Sequence, residues 1–286
     1  MRFPEYFADA ESSFTEAEFV VFGVPYDKTS SFRFGSVKGP QEIRQASWNI
    51  ETFDLRTGID IRQFKMHDYG NLPVEKKQPA EMVSQVKTFV SSIVKGKKFP
   101  VGLGGEHAIT PGILQAFPKD TAVVSLDAHL DFRKEYEHET WNHACVIRRL
   151  CDHLDIHNIA VLGIRSADKE EYEDARKLGL FFKDAYAIRD ESLKNILQQT
   201  QHHLKGKPIY LTLDIDVVDP AYAPGVSTPE PFGLTPWEVC QCLEFFAPHL
   251  VGFDLVEVCP PFDHGQTAML AARLARLLIC SVGARA

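Results

Sequence analysis

Apolar positions along the chain fall into short unbroken runs, separated by longer stretches in which they recur at helical spacing. The short runs read as strands at FVVFGV (19–24), KFPVGLGG (98–105), AVVSLD (122–127), IAVLGI (159–164), PIYLTLD (208–214) and LVGFDLVEV (250–258), with weaker ones near 64–67 and 180–187. Helices are expected at about 40–50, 78–95, 110–117, 143–154, 168–178, 190–204, 236–246 and 265–282. The strand runs are apolar on both faces, which a parallel sheet covered on each side by helices requires. Repeated β–α units with right-handed crossovers then give one doubly wound α/β sheet. No repeat, low-complexity segment or linker divides the sequence, so residues 1–286 read as a single domain. Ligands in such sheets sit at the carboxyl ends of the strands, so chemistry is expected where the apolar runs stop.

Composition narrows the class. With 286 residues, 44% of them hydrophobic, the chain can bury a sizeable core. A formal charge of −8 counts against a general nucleic-acid or membrane-surface binder and suits a small cationic partner better. Cysteines at 145, 151, 240, 242, 259 and 280 form no CxxC pair and are expected as reduced, mostly buried thiols. The N-terminal MRFPEYFADAESSF has no apolar run of signal-peptide length. The late stretch MLAARLARLLICSV is cut by Arg273 and Arg276, so it reads as an amphipathic helix rather than a membrane span. A soluble, cytoplasmic protein is the expectation.

Three of the apolar runs end in potential metal ligands. AVVSL runs into Asp127-Ala128-His129-Leu130-Asp131, PIYLTL into Asp214-Ile215-Asp216 followed by Asp219-Pro220, and FPVGLGG into Glu106-His107. Side chains at i, i+2 and i+4 of extended backbone share a side, so Asp127, His129 and Asp131 are expected to converge. A lone Asp-x-Asp at a strand end is usually a helix cap or turn. Two acids flanking an imidazole, however, cost repulsion and desolvation unless a cation is present. Four carboxylates and two imidazoles without a thiolate favour a hard or borderline ion, and Mn²⁺ fits better than Mg²⁺ or Zn²⁺. Six ligands are too many for one ion and suit two, about 3.5–4 Å apart across a bridging water.

Gly-Gly-Glu-His at 104–107, Ser-Leu-Asp-Ala-His-Leu-Asp at 125–131 and Leu-Thr-Leu-Asp-Ile-Asp-Val-Val-Asp-Pro at 211–220 resemble the signature blocks of the ureohydrolases, the family of arginase and agmatinase. The likeness continues in Gly-Val-Pro-Tyr-Asp (23–27), Gly-Pro-Gln-Glu-Ile-Arg (39–44), Ala-Pro-Gly-Val-Ser-Thr-Pro-Glu-Pro-Phe-Gly-Leu (223–234) and Phe-Asp-Leu-Val-Glu-Val (253–258). It implies a three-layer α/β/α fold around an eight-stranded parallel sheet, and assembly into homo-oligomers, trimers or hexamers. It also implies that His107, Asp127, Asp131 and Asp214 ligate one Mn²⁺ and Asp127, His129, Asp214 and Asp216 the other, with Asp127 and Asp214 bridging.

A guanidinium carbon is a poor electrophile, and two Mn²⁺ ions answer that by presenting a bridging hydroxide near neutral pH. Asp131 is expected to orient it and pass its proton to the departing amine. The resemblance assigns Glu257 to the substrate guanidinium and His143 to proton shuttling. Family members often read Ser-His-Gly or Leu-His-Gly where this chain has Trp141-Asn142-His143-Ala144; Phe34 and Cys259 also depart from the usual pattern. The loop Phe132–Thr140 lacks the Asn-Thr-Pro stretch of arginases, resembles microbial agmatinases and carries Glu135, Glu137 and Glu139, which implies agmatine as substrate, cleaved to putrescine and urea. N1-aminopropylagmatine, guanidinobutyrate or arginine are the alternatives within the family. A deacetylase-like amidohydrolase on a related fold and a non-catalytic paralogue are the remaining alternatives.

Overall fold

The computed structural model describes residues 4–284. In chain order its first elements are β1 (Phe19–Val24), α1 (Gly39–Ser47), β2 (Phe53–Asp54), β3 (Ile59–Asp60), β4 (Met66–Asn71), α2 (Pro79–Lys95), β5 (Phe99–Gly104) and α3 (Thr110–Leu114). The middle comprises β6 (Ala122–Leu126), α4 (Val146–Leu150), β7 (Ile159–Ile164), α5 (Lys169–Leu178), β8 (Phe181–Asp184), α6 (Ala185–Glu191) and α7 (Leu193–His203). It closes with β9 (Ile209–Asp214), α8 (Pro236–Phe246), β10 (Leu250–Val256) and α9 (Gln266–Gly283).

Eight strands form one sheet in the order β4-β1-β5-β10-β9-β6-β7-β8, parallel throughout. Strand alternation splits the apolar residues between two cores, as the doubly apolar runs require. Val20, Phe22, Val123, Val161 and Tyr210 join one core with Val83, Val86 and Val90 of α2 and Ile147 of α4. Val21, Val124, Leu162, Leu211 and Phe253 join the other with Ile43 of α1, Leu243 of α8 and Ala271 and Leu278 of α9. The chain leaves β5 for β6 three places along the sheet, and β9 and β10 later fill the gap. The carboxyl ends of these four central strands therefore lie side by side at the switch point, where such a sheet opens a crevice.

Local chemistry explains where the elements depart from the sequence pattern. The weak candidate at 64–67 is β4, an edge strand whose polar His67, Asp68 and Asn71 hide it; Asp68 and Asn71 receive the buried Arg44 guanidinium of α1 at 2.6–2.9 Å. The candidate strand at 180–187 stops at Asp184, whose carboxylate accepts the Ala187 N–H at 2.6 Å and starts α6. The helix expected at 190–204 is broken at Ser192, where φ is 74°. The helix expected at 143–154 is a short turn at His143–Cys145 followed by α4. The pair β2–β3, antiparallel and two residues per strand, leaves no apolar signature. α9 is more than an amphipathic surface helix: Arg276 is buried against Asp9 at 2.9 Å, and Arg273 meets Asp54 at 2.7 Å. Among the described residues, no helix is long and apolar enough to cross a membrane.

Candidate metal centre

His107 opens the turn after β5, Asp127, His129 and Asp131 follow β6, Asp214 ends β9, and Glu257 follows β10. The turn at Gly105 sits so close to the loop after β1 that a Cβ there would meet the Tyr26 carbonyl at 2.0 Å, so only glycine lets Glu106 and His107 turn inward. The extended spacing expected from 127 to 131 ends with the strand: the chain bends at Ala128, and His129 then bridges to Ser166 of the next segment. At Asp131 the backbone turns left-handed, with φ 49°. The three side chains converge nonetheless, because that turn swings Asp131 back to 3.2 Å from His107 Nδ1, beside Asp127 at 3.1 Å and Asp214 at 3.3 Å.

Each of three carboxylates divides its oxygens between backbone and centre. Asp127 Oδ1 accepts the His129 N–H at 2.7 Å, Asp214 Oδ1 the Asp216 N–H at 2.9 Å, and Asp216 Oδ1 the Ala128 N–H at 3.1 Å. The cap role that an isolated Asp-x-Asp suggests is thus real, and it uses only one oxygen. The second oxygens face the imidazoles: Asp216 Oδ2 lies 2.9 Å from His129 Nδ1. His107, Asp127 and Asp214 form one compact set of ligand atoms and Asp127, His129 and Asp216 another, with Asp127 common to both. Asp214 falls in the first set only. Asp219 stands apart, bound to the Ala221 and Gly233 amides at 2.9 Å.

The residues fit divalent cations by their own chemistry. His107 Nδ1 and Asp127 Oδ2 are buried without a hydrogen-bond partner, as ligand atoms aimed at a cation would be. Burial, then repulsion from Asp127, pushes Asp131 up to about 7, and burial with Asp216 and Asp127 drives Asp214 well above its ordinary range. Burial alone would depress both imidazoles, yet the carboxylates raise His107 well above its usual value and His129 to about 10. The cluster therefore demands positive charge, from protons or from metal. Behind it, His107 Nε2 lies 3.0 Å from Thr212 Oγ1, whose hydroxyl donates to the buried Asp254 at 2.5 Å. Tyr210 and Thr110 donate to the same carboxylate at 2.9 and 3.0 Å. Such outer hydrogen bonds fix a ligand's tautomer and ring orientation.

Glu257 is buried with φ 66°; Oε1 accepts the His107 N–H at 2.7 Å, and Oε2 is buried without a partner. Burial, then Glu106, pushes it up to about 8. His143 lines a pocket of about 200 Å³ with His129, Asp131, Arg133 and Glu230, and burial beside His129 depresses it to about 4. Asn142 explains one departure: its side chain accepts the Ala144 N–H at 2.9 Å and caps the turn that carries His143. Cys259 is buried near Gly35, whereas Phe34 is 59% exposed. Of the loop glutamates, none lines this pocket; Glu230, with Oε1 3.9 Å from His129 Nε2, does. Glu106, Thr212, Glu230 and Asp254 stand within the sequence motifs, but their roles depend on which loop folds over which, and no spacing rule shows that.

A largely buried His/Asp cluster able to hold metal, at the switch point of an eight-stranded parallel α/β sheet, is the arrangement a metal-dependent hydrolase requires. A family model described as "Arginase family" matches residues 17–280. The chain is 37% identical to an agmatinase of Bacillus anthracis, covering 98% of each chain, and 36% identical to an N(1)-aminopropylagmatine ureohydrolase of Thermococcus kodakarensis, covering 95% and 92%. The solved agmatine ureohydrolase of Thermoplasma volcanium superimposes with a TM-score of 0.94 at 39% identity, covering 99% of this chain and 96% of that one. The chain belongs to the arginase family. It is a ureohydrolase, which sets aside the deacetylase-like and non-catalytic alternatives.

Proposed function

We propose that this protein hydrolyses agmatine to putrescine and urea, with two Mn²⁺ ions held by His107, Asp127, Asp131 and Asp214 and by Asp127, His129, Asp214 and Asp216. The observation that carries the reading is the pair of ligand sets that share Asp127. Bound there, the two ions supply a water acidic enough to serve as nucleophile near neutral pH. The chain's own residues do the rest. Glu257 Oε2, buried and unpartnered, offers the acceptor for a guanidinium N–H, while Oε1 stays locked on the His107 amide. Asp131 receives the nucleophile's proton and hands it to the departing amine. His143 exchanges protons between the pocket and solvent. Glu230 at the pocket edge offers negative charge to a cationic tail.

A second reading rests on a neighbouring pocket of about 360 Å³ that shares Arg133 and Glu171 with the first and is lined further by Phe132, Lys134, Glu135, Asp168, Glu170 and Asp174, five acids against two bases in all. It gives an acidic continuation suited to a longer polyamine such as N1-aminopropylagmatine. Mn²⁺-loaded protein should be given agmatine, aminopropylagmatine, guanidinobutyrate and arginine, with urea measured. The largest kcat/KM for agmatine is expected. Urea from none of them would sink the ureohydrolase reading for this chain, and comparable kcat/KM for arginine would sink the substrate.

A further inference from the structure

Glu106 has no task in the chemistry above, yet it is a fully buried carboxylate next to a ligand histidine. Its partners all come from the loop after β1. Oε2 accepts the Thr29 N–H at 2.7 Å and the Ser30 hydroxyl at 3.4 Å, and Oε1 accepts the Thr29 hydroxyl at 2.8 Å. That loop is pinned independently by Asp27 Oδ2, which accepts the Gly35 N–H at 2.5 Å.

Thr29 Oγ1 also faces His143, 3.0 Å from its backbone N and 3.3 Å from Nδ1. A hydroxyl has one hydrogen and two lone pairs. With the hydrogen given to Glu106, only lone pairs remain for His143, so both of its nitrogens here must be donors. The neutral ring then carries its hydrogen on Nδ1 and leaves Nε2 bare. Nε2 lies 3.4 Å from the hydroxyl of Ser31, an exposed residue on the same pocket wall.

We propose that Thr29 and Glu106 are positioning residues that hold His143 as the Nδ1–H tautomer, leaving Nε2 as the atom that exchanges protons between solvent and the pocket. This rests on the reading of His143 as the proton carrier. Glu106→Gln gives the sharpest consequence. The Oε2 position must still accept the Thr29 N–H, so the amide oxygen takes it and the NH₂ faces Thr29 Oγ1. The hydroxyl must then turn its hydrogen toward Nδ1, which inverts the tautomer without removing a contact.

Steady-state urea release by the Mn²⁺-loaded full chain tests this with Thr29→Val, Thr29→Ser and Glu106→Gln, each alone and combined with His143→Ala. Thr29→Val and Glu106→Gln are expected to lower kcat about 10- to 100-fold, within the range of general acid–base effects. KM should change less than about twofold, and metal content should not change. Thr29→Ser should recover most of kcat. In the His143→Ala background neither substitution should cost more, because the residue through which they act is gone. The proposal is overturned if Thr29→Val or Glu106→Gln keeps kcat, if Thr29→Ser is as slow as Thr29→Val, or if the losses persist without His143. Should Thr29→Val not fold, Thr29→Ser and Glu106→Gln decide alone. An unmodified enzyme that releases no urea overturns the functional reading and this one together; an active enzyme indifferent to Glu106→Gln overturns only the tautomer.

Discussion

Asp127 Oδ2 lies 3.1 Å from His107 Nδ1, both atoms buried and neither with a hydrogen-bond partner, while Asp127 Oδ1 is held by the His129 amide. The anchored oxygen fixes the free one in place before any ion arrives, so little ordering entropy remains to oppose binding. Asp127→Asn keeps the anchor and the volume but removes the charge shared by both ligand sets. Metal content, measured by elemental analysis after dialysis, is expected to fall below one ion per chain, with kcat/KM for urea release down by roughly 10³ or more from loss of the metal-activated nucleophile. Two Mn²⁺ ions retained per chain would contradict the shared position of Asp127.

Burial and Glu106 push Glu257 up to about 8, and Asp216 holds His129 at about 10 despite its burial. Both values lie above those of the unfolded chain, so between pH 7 and 8.5 the metal-free folded protein binds more protons than the unfolded one. Its stability must fall as pH rises through that window, by about 1.4 kcal/mol per pH unit for each extra proton held. EDTA-treated protein is therefore expected to melt several degrees lower at pH 8.5 than at pH 7.0. Metal displaces those protons, so the Tm gain on adding Mn²⁺ should grow with pH. A metal-free Tm that rises over the same interval would show that the cluster is not charged as described.

Arg44 is 1% exposed and forks onto Asp68 at 2.7 and 2.9 Å, and Asp68 also accepts the Phe7 and Gly70 amides. The pair ties α1, the edge strand β4 and the N-terminal segment together and touches none of the residues assigned to the chemistry. Arg44→Met leaves the carboxylate buried and uncompensated, which costs about 3–5 kcal/mol. Urea denaturation should show that loss as a lowered midpoint, and kcat of the surviving folded protein should stay near the parent value. A loss under about 1 kcal/mol would mean that water reaches Asp68 once the guanidinium is gone.

The sheet and the His/Asp cluster were legible because both follow local rules: doubly apolar runs mark strands buried on each face, and His and Asp at their ends mark the crevice. What sequence could not show depends on which loop lies over which. Thr29 meets His143 across 114 positions of sequence, and Glu230 reaches His129 only because the Arg165 guanidinium holds the Glu230 carbonyl at 2.8 Å and the Asp216 carbonyl at 2.7 Å. Asp131 and Glu257 adopt φ of 49° and 66°, which extended spacing does not anticipate. Such left-handed side-chain-bearing residues cost energy and persist where the surrounding structure fixes them. Of the glutamates expected to meet the substrate tail in the 132–142 loop, Glu135 lines only the neighbouring pocket, and Glu137, at φ 50° beside His138 at 63°, sits at the tip of a tight hairpin.

Glu230 shares the pocket wall with the more deeply buried Glu171 and is the acid proposed for the substrate's distant ammonium, and two roles for it can be separated by one substitution. Its Oε1 stands 3.9 Å from His129 Nε2, too far for a hydrogen bond but near enough to steady the ring through water. Glu230→Gln keeps hydrogen bonding and shape while removing the charge. If the carboxylate meets the ammonium, KM for agmatine should rise about tenfold, a loss of about 1.4 kcal/mol. KM for guanidinobutyrate, which ends in a carboxylate, should hold or improve. If it instead steadies His129, both substrates should lose kcat together and Mn²⁺ should dissociate more readily on dialysis. Urea release with the two substrates, run beside elemental analysis of the dialysed variant, distinguishes these outcomes. The expected split in KM, with metal content unchanged, would assign the far end of the pocket to Glu230.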